Sequence, residues 1–320
     1  MMHIEISRAY IEAATGRLKP ELWHKRIQLQ KKQAQYKYEL TFTHPEESQL
    51  FARAVLRGLK MFGLLERARA EAHDITIKEH TVVLQILPKQ FDGLRILHLS
   101  DLHLDGFADN CEALLKAVSG LSADACIITG DFRFGTSGPA DTALSHLQKL
   151  MQVIRCRLGT LAVLGNHDWL EHVPAIESTG IRVLLNEAVL WVLDGAALRV
   201  AGIDDPHFFG TQDIPAALQD APPSAATILL AHSPEAFRQA AATGVHVYLC
   251  GHTHGGQSCL PGGIPVMTNC HCPRALVRGA WSFKGMQGYT SKGTGSSSVQ
   301  ARLFCRPEIV IHTLRAMKTF

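Results

Sequence analysis

The 320-residue sequence has no long apolar run and no strong excess of charge of either sign. No apolar stretch reaches the ~18 residues that a membrane-spanning helix needs, and the N-terminus lacks the apolar segment of a signal peptide. The net charge is only +3, and no block of Lys and Arg is dense enough to indicate nucleic-acid binding. These absences argue against an integral membrane protein and a nucleic-acid scaffold. We therefore expect a cytoplasmic protein.

Cysteine is also sparse, and the eight cysteines are scattered without the density of a disulfide scaffold. Cys126 and Cys250 stand in apolar, strand-like runs, so we expect them in the core. Cys270-His271-Cys272 could bind zinc, but no second pair stands at the spacing of a zinc finger, and a loop is the favoured interpretation. The sequence shows no internal repeat, and the Gly/Ser run at 293–298 is too short for an interdomain linker.

Residues 1–72 carry 13 Lys and Arg against 8 Asp and Glu, which leaves 19 against 21 for the remainder. A basic arm therefore precedes a slightly acidic body. Its composition predicts one helix from Glu21 to about Lys37, with Pro20 at the start. The capping-box pattern Thr43-x-x-Glu46 predicts a second helix over about 46–71.

The second helix is predicted to be amphipathic, because apolar and basic residues both recur along it at helical spacing. The apolar residues are Phe51, Val55, Leu59, Phe62 and Leu65, and the basic ones are Arg53, Arg57, Lys60 and Arg67. Such a helix could lie on a membrane surface or meet a lipid substrate. It could instead dock on the main domain with a solvated charged face, and we favour this second interpretation.

Beyond Asp74 the pattern changes to alternating strands and helices, which predicts a layered α/β domain over 73–320 behind a helical extension over 1–72. Predicted strands lie at 75–77, 81–84, 94–99, 125–129, 160–164, 226–231 and 245–250, with two or three more in 182–203 and closing strands at 302–304 and 309–314. Predicted helices lie at 110–119, 141–152, about 171–179 and 234–242.

Polar donors follow five of these strands at their carboxyl ends, where open α/β sheets build their sites. Seven oxygen and nitrogen donors stand there: Asp101, His103, Asp131, Asn166, His232, His252 and His254. Carboxylate, imidazole and amide ligands without thiolate suit Mn, Fe, Zn or Co, and seven are too many for one ion. Two ions, ~3.5 to 4 Å apart, would suit displacement at phosphorus. The pattern therefore predicts a two-metal site for phosphoryl ester hydrolysis.

The motifs resemble those of the calcineurin-like metallophosphoesterases. Here they are Asp101-Leu-His103, Gly130-Asp131, Gly165-Asn-His-Asp168, a separate His232, and Gly251-His-Thr-His254. The resemblance implies a four-layer α/β/β/α sandwich. It also implies that Asp101, His103 and His254 bind one ion and Asn166, His232 and His252 the other, with Asp131 bridging. The metals are expected to be Mn, with Fe, Zn or Co as alternatives, and a hydroxide between them would attack phosphorus.

The same resemblance assigns roles near the metals. His167 would protonate the leaving oxygen, and Asp168 would orient His167. Arg133 is placed to meet a phosphate, whereas Asp205 and His207, with Asp204, could line the site or belong to an ordinary turn. The segment Gly130–Gly135 departs from the protein phosphatases. The longer match Gly251–Gln257 is similar to a bacterial phosphodiesterase branch that includes UDP-2,3-diacylglucosamine pyrophosphatases.

Three functions from different classes remain open on these residues. The preferred one is a phosphodiesterase or pyrophosphohydrolase that acts on a small-molecule or lipid-linked phosphoester. The second is a catalytically silent binding module with the same fold. The third is a peripheral membrane protein, at the inner face of the membrane, that acts through the basic helix. Because no metal ligand and no acid histidine is missing, we expect an enzyme.

Overall fold

Two six-stranded sheets are built from the apolar runs of residues 76–316. The structure is a computed structural model and describes residues 16–36, 49–219 and 225–317. The first sheet has the order β1-β14-β2-β3-β4-β5. Its strands are β1 (Thr76–Leu84), β2 (Arg95–Leu99), β3 (Ala125–Thr129), β4 (Thr160–Val163), β5 (Ile181–Val183) and β14 (Glu308–Ala316). Pairing is parallel except between β14 and β2.

The second sheet has the order β12-β13-β9-β8-β7-β6 and lies across the first. Its strands are β6 (Glu187–Leu193), β7 (Ala196–Gly202), β8 (Thr227–Leu230), β9 (Val247–Cys250), β12 (Gly279–Phe283) and β13 (Met286–Thr290). A small hairpin of β10 (Cys259–Leu260) and β11 (Ile264–Pro265) stands apart. The facing sides of the sheets share one apolar core, in which Ile96 and Ile127 of the first sheet join Val200 and Ile228 of the second.

Helices cover both outer sides, which gives the four-layer sandwich predicted from the sequence. The helices are α1 (Pro20–Tyr36), α2 (Gln49–Met61), α3 (Leu65–His73), α4 (Glu112–Ser119), α5 (Asp141–Val153), α6 (Val173–Glu177), α7 (Ile214–Ala217) and α8 (Phe237–Ala242). Helices α4, α5 and α6 pack on the first sheet, and α7 and α8 on the second. The described helices include none that combines the length and the apolar character needed to cross a bilayer.

Three predicted elements differ from the structure. Residues 75–77 and 81–84 are not two strands, because β1 pairs with β14 over its whole length and its polar middle faces solvent. The predicted strand at 302–304 is absent, since this segment forms only an isolated bridge between Leu303 and Ser258. The single helix expected at 46–71 is broken at Gly63, whose φ of 67° suits the residue that ends a helix. The capping box Thr43–Glu46 lies outside the described residues.

Helix α2 docks on the body of the protein through one face. Val55 and Leu59 pack near Val299, whereas Arg53 and Arg57 are exposed. This arrangement matches the docked interpretation of the basic helix. The apolar stripe is shorter than predicted, because Phe62 lies past the last turn and is 72% exposed.

The cysteines behave as expected from their surroundings. Cys126 and Cys250 are fully buried in strands, and every cysteine is a free thiol. Cys270 and Cys272 lie in a loop with their Sγ atoms 2.8 Å apart.

Candidate metal centre

The carboxyl ends of β2, β3, β4, β8 and β9 meet at one edge of the sandwich. The seven donors predicted from the sequence are all buried there. Three groups of three residues have ligand atoms within 4.8 Å of one another. The first group is Asp101, His103 and His254, and the second group is Asp131, His232 and His252. The remaining one, His103, Asp131 and His167, shares a residue with each of them. The structure therefore brings together residues that are up to 153 positions apart in the sequence, since Asp101 and His254 share one group.

In the first group, two imidazole nitrogens face each other. His103 Nε2 lies 3.2 Å from His254 Nε2, and His254 Nε2 lies 3.4 Å from Asp101 Oδ1. These separations are those of atoms that share one ion, for which metal–nitrogen distances are about 2.0–2.1 Å.

The second group is centred on His232. Its Nε2 atom lies 2.9 Å from Asn166 Oδ1, 3.2 Å from His252 Nδ1 and 3.4 Å from Asp131 Oδ2. The same Asp131 oxygen lies 3.7 Å from His103 Nε2 of the first group. Asp131 therefore stands between the two groups, and Asn166 extends the second.

Backbone carbonyls determine which imidazole nitrogen carries hydrogen. His103 and His232 donate from Nδ1 to the carbonyls of Arg133 and Thr129, at 2.8 Å and 2.7 Å. His252 is reversed, because its Nε2 donates to the Asn269 carbonyl at 2.8 Å and its Nδ1 faces the group. In each case the nitrogen directed at the group is the one that can offer its lone pair to a cation, once that cation has displaced any proton there.

The backbone of the site is strained. Asp101, His103, Asp131, His252 and His254 all have φ between 43° and 71°, a region that non-glycine residues seldom occupy. Each such residue costs about 1–3 kcal/mol and persists only where its surroundings enforce it. A neighbouring glycine shows the crowding, since a Cβ atom at Gly251 would overlap Ser100 Oγ and Asp101 Oδ2.

The electrostatics of the cluster favour a cation. Burial raises the pKa of Asp131 to about 7. Burial alone would lower the pKa of His232, but the attraction of the Asp131 and Asp101 carboxylates outweighs it and raises this pKa to about 10. Burial also raises the pKa of Asp101. Buried carboxylates and imidazole lone pairs directed at common points fit divalent cations, so the residues present suit the metals implied by the motifs.

His167 lies at the edge of the two groups. Its Nδ1 donates to the Phe134 carbonyl at 2.7 Å, and its Nε2 lies 3.9 Å from Asp131 Oδ2. The Asp168 carboxylate, predicted to orient His167, makes no hydrogen bond to the His167 ring among the described contacts. It accepts hydrogen bonds from the amides of Asp131, Gly165 and Phe132, so among the described contacts it supports backbone and the Phe134 carbonyl orients His167.

Two residues predicted to bind substrate make contacts within the protein. The Arg133 guanidinium is buried, donates from Nε to the Gly135 carbonyl at 2.6 Å and lies against Trp169. Asp205 is fully buried, and its carboxylate accepts from the amides of its own turn, at residues 207–209. This is the turn chemistry considered as the alternative. Asp204, which is also fully buried, accepts from the Thr211 hydroxyl at 2.5 Å.

His207 lies beside the second group without belonging to it. Its ring centroid is 4.0 Å from that of His252, and its Nδ1 atom is 3.0 Å from Glu235 Oε1. His207 therefore contacts His252 and Glu235, and it is not among the residues that line the cavity.

A cavity of about 340 Å³ opens beside the two groups. Its floor includes Asp131, Asn166 and His167. Its walls are mostly aliphatic or small, and they include Val55 from α2, Val266, Met267 and Val299. Of the residues described, no Lys, Arg, Phe, Tyr or Trp lines it.

Arg302 was missed by the sequence interpretation. Its fully buried guanidinium donates to the carbonyls of Lys292 and Gly295 at 2.8 Å and 3.1 Å, and Nη2 lies 3.0 Å from His254 Nδ1. It therefore joins the loop at 292–295 to a residue of the first group. The available signal was a single charged residue inside the apolar run Ala301–Phe304.

The chain matches one protein-family model and is similar to several known proteins. The family model for calcineurin-like phosphoesterases matches residues 94–256, which include all seven donors. The uncharacterised metallophosphoesterase YkuE of Bacillus subtilis is 28% identical over 256 residues, or 77% of this chain and 87% of that protein. A transmembrane protein with a metallophosphoesterase domain from Bos taurus is 30% identical over 81% of this chain and 60% of its own length. Phosphodiesterase YaeI of Escherichia coli is 28% identical over 68% of this chain and 80% of that protein.

Proposed function

The chain belongs to the calcineurin-like phosphoesterase family and is a metal-dependent phosphoric ester hydrolase, and we propose that it hydrolyses phosphodiesters or pyrophosphates at a two-metal centre. Asp101, His103 and His254 would hold one ion. Asn166, His232 and His252 would hold the other. Asp131 would contact both.

One observation supports this proposal above the others. Asp131 Oδ2 lies 3.7 Å from His103 Nε2 and 3.4 Å from His232 Nε2, between two sets of donors that each suit one cation. A single structural ion would need no second set and no carboxylate between them. We prefer Mn²⁺, with Fe, Zn and Co as alternatives, because the oxygen and nitrogen donors accept all four.

The residues have separable tasks in the proposed reaction. When bound, two divalent ions would activate water and neutralise charge on the phosphoryl oxygens. Asp131 is fixed for this purpose by the His167 amide, which donates to its Oδ1 at 2.9 Å. The Phe134 carbonyl keeps hydrogen on His167 Nδ1, so Nε2 is the atom that would hold or release a proton toward the leaving oxygen. His167 also lines the cavity, within reach of a substrate there.

The proposed reaction is tested with bis(p-nitrophenyl) phosphate and added Mn²⁺. We expect turnover by the full chain, loss of turnover with a chelator, and loss of turnover in Asp131→Asn. Asp194→Asn is the matched control, because Asp194 is an exposed turn residue far along the sequence from every donor. Equal rates of hydrolysis by wild type and Asp131→Asn would contradict the proposal.

The substrate class follows from the cavity. A nucleotide pocket is expected to offer an aromatic or cationic side chain to the base, whereas beyond the predicted site residues the described lining consists of aliphatic, small and amide side chains. We therefore favour a phosphoester with an apolar group, which includes a lipid-linked substrate, over a nucleotide. A series of p-nitrophenyl alkyl phosphates tests this, since kcat/KM is expected to rise with chain length. A rate that is independent of chain length would contradict it.

Membrane contact through α2 is a separate proposal, and a location at the inner face of the membrane stays a prediction. The exposed basic side chains of Arg53, Arg57 and Lys60 would face anionic headgroups while Val55 and Leu59 stay docked. Co-sedimentation with vesicles of phosphatidylglycerol tests it. Replacement of the three basic residues by Gln should abolish binding, and unchanged binding would exclude the helix as the contact.

A further inference from the structure

Helix α1 turns a polar face toward the protein interior. Arg26, Gln30 and Gln33 follow one another at spacings of four and three, so they share one side of the helix. Their exposed fractions are 0%, 2% and 0%. Buried polar side chains of this kind are retained only where they find hydrogen-bond partners. We call these three residues the polar stripe of α1.

Each residue of the polar stripe makes hydrogen bonds to the segment after β4, at residues 165–171. Gln33 Nε2 donates to the Asn166 carbonyl at 2.8 Å, and Gln33 Oε1 accepts from Trp169 Nε1 at 3.1 Å. Arg26 Nη2 donates to the Asp168 carbonyl at 2.9 Å. Gln30 accepts from the Leu170 amide at 2.9 Å and donates to Glu171 Oε2 at 2.7 Å.

This segment has two sides with different partners. Asp168 Oδ2 accepts from the Gly165 amide, and Asp131 Oδ1 accepts from the His167 amide, so these contacts lie toward the metal groups. The carbonyls of Asn166 and Asp168 lie toward α1. A buried carbonyl without a donor costs free energy, so α1 completes the hydrogen bonding of the segment.

The position of α1 is held by contacts that do not involve this segment. The Arg26 guanidinium lies 3.4 Å from the Phe209 ring centroid, and its Nε atom is 3.5 Å from Asp204 Oδ2. At the start of the helix, Lys19 Nζ lies 2.7 Å from Asp213 Oδ2, and Lys25 Nζ donates to the Gly210 carbonyl at 2.6 Å. The position of α1 therefore does not depend on residues 165–171 alone.

We propose that α1 is a positioning element of the metal centre, and that Gln33 is the positioning residue that fixes Asn166 and His167 through the backbone between them. This inference rests on the proposed function for the ligand role of Asn166. Its consequence is that the affinity for one of the two ions depends on a residue 133 positions earlier in the chain. The polar stripe of α1 would then support the metal centre, although the matched family region begins at 94.

The test compares Gln33→Met with Gln28→Met in the full chain. Methionine keeps the length of glutamine but removes its donor and acceptor, and Gln28 is an exposed residue of the same helix. In Gln33→Met we expect the amides of 165–170 to exchange hydrogen faster in metal-free protein. We also expect one Mn²⁺ affinity in calorimetry to fall by about 10-fold or more while the other changes little. Gln28→Met should match wild type in both measurements.

Two results would overturn the inference. One is loop exchange and Mn²⁺ affinities in Gln33→Met equal to those of Gln28→Met. The other is a lower melting temperature without a change in either quantity, which would show that Gln33 serves stability alone. The proposed function can fail independently of this inference. Wild-type protein that binds no Mn²⁺, or that binds Mn²⁺ without hydrolysing a phosphodiester, would refute the proposed reaction. The hydrogen exchange of the amides at 165–170 would still decide the role of Gln33.

Discussion

The Asp168 carboxylate accepts the amide hydrogen of Asp131 at 2.7 Å. Oδ2 also accepts from the Gly165 amide at 2.9 Å, and Oδ1 accepts from the Phe132 amide at 2.9 Å. One carboxylate after β4 therefore holds the backbone that follows β3. Because φ of Asp131 is 58°, this loop needs such support to keep the Asp131 side chain between the two donor groups.

Replacement of Asp168 by Asn is expected to damage the loop without removing a metal ligand. The new NH₂ group must face at least one amide N–H, so one buried donor loses its acceptor. We expect the free energy of unfolding to fall by about 1–3 kcal/mol in urea denaturation. We also expect kcat on bis(p-nitrophenyl) phosphate to fall at least about 10-fold. Asp194→Asn should leave both unchanged. A shift confined to the acid limb of the pH–rate profile would instead restore the role of Asp168 as partner of His167.

Gly251→Ala is expected to displace a ligand of the first group. A Cβ atom there would overlap Ser100 Oγ and Asp101 Oδ2, while the φ of this glycine imposes no strain on alanine. Asp101 must therefore move, and the Mn²⁺ stoichiometry should fall from two toward one. Gly120→Ala is the matched control, because nothing lies within 4 Å of its Cβ position. Two bound Mn²⁺ ions in Gly251→Ala would contradict this assignment.

His252→Ala and His254→Ala should disturb different ions. His252 Nδ1 faces His232, and His254 Nε2 faces His103, each at 3.2 Å. Each variant is expected to lose one Mn²⁺ by metal analysis and to lose nearly all turnover. The double variant should lose both ions. If each single variant lost the same ion, as judged by the Mn²⁺ resonance spectrum of the ion that remains, the division into two groups would be wrong.

The stability of the metal-free protein should fall in acid partly through His98. This buried residue lies between His312 and Thr129 in the inter-sheet core, with His80 beyond His312. Burial, together with repulsion from His80, lowers the pKa of His98 to about 3. In the unfolded chain His98 is protonated below about pH 6.5, whereas in the folded protein it stays neutral down to about pH 3. The free energy of unfolding therefore decreases as the pH falls from about 6.5 to about 3.

The size of this effect can be measured with His98→Gln, which keeps hydrogen-bonding groups but cannot titrate. Between about pH 7.5 and pH 5, wild type should lose about 2 kcal/mol more of its free energy of unfolding than the variant does. Urea denaturation with a chelator present provides the measurement. Equal losses in the two proteins would mean that His98 does not resist protonation.

Local patterns predicted most of the sheets. The strands at 125–129 and 160–164 were visible because each is a short apolar run with turn residues at its end, and β3 matches its predicted range. Strand predictions failed where pairing with a strand far away in the sequence determines the structure. Lys78 and Glu79 resemble a turn in sequence, but β14 pairs with them and makes them part of one strand.

At the site, too, local sequence predicted where residues lie but not which groups their side chains contact. Arg133 follows Asp131 in sequence and was therefore expected at the substrate, yet its guanidinium is held by Gly135 and Trp169. Asp168 follows His167 but serves the Asp131 loop. Neighbours in sequence share a location, whereas the direction of a side chain depends on which partners the rest of the chain supplies.

By itself, the sequence determined the chemical types of the donors and their places at strand ends, because strands and their ends follow from local composition. The resemblance implied how the donors divide, but only the tertiary structure shows the physical reason. His252 and His254 would share one face of a regular strand, but φ values of 71° and 49° turn the backbone and send them to different groups. Only the tertiary structure, too, brought Gln33 to Asn166, because no local pattern relates residues 133 positions apart.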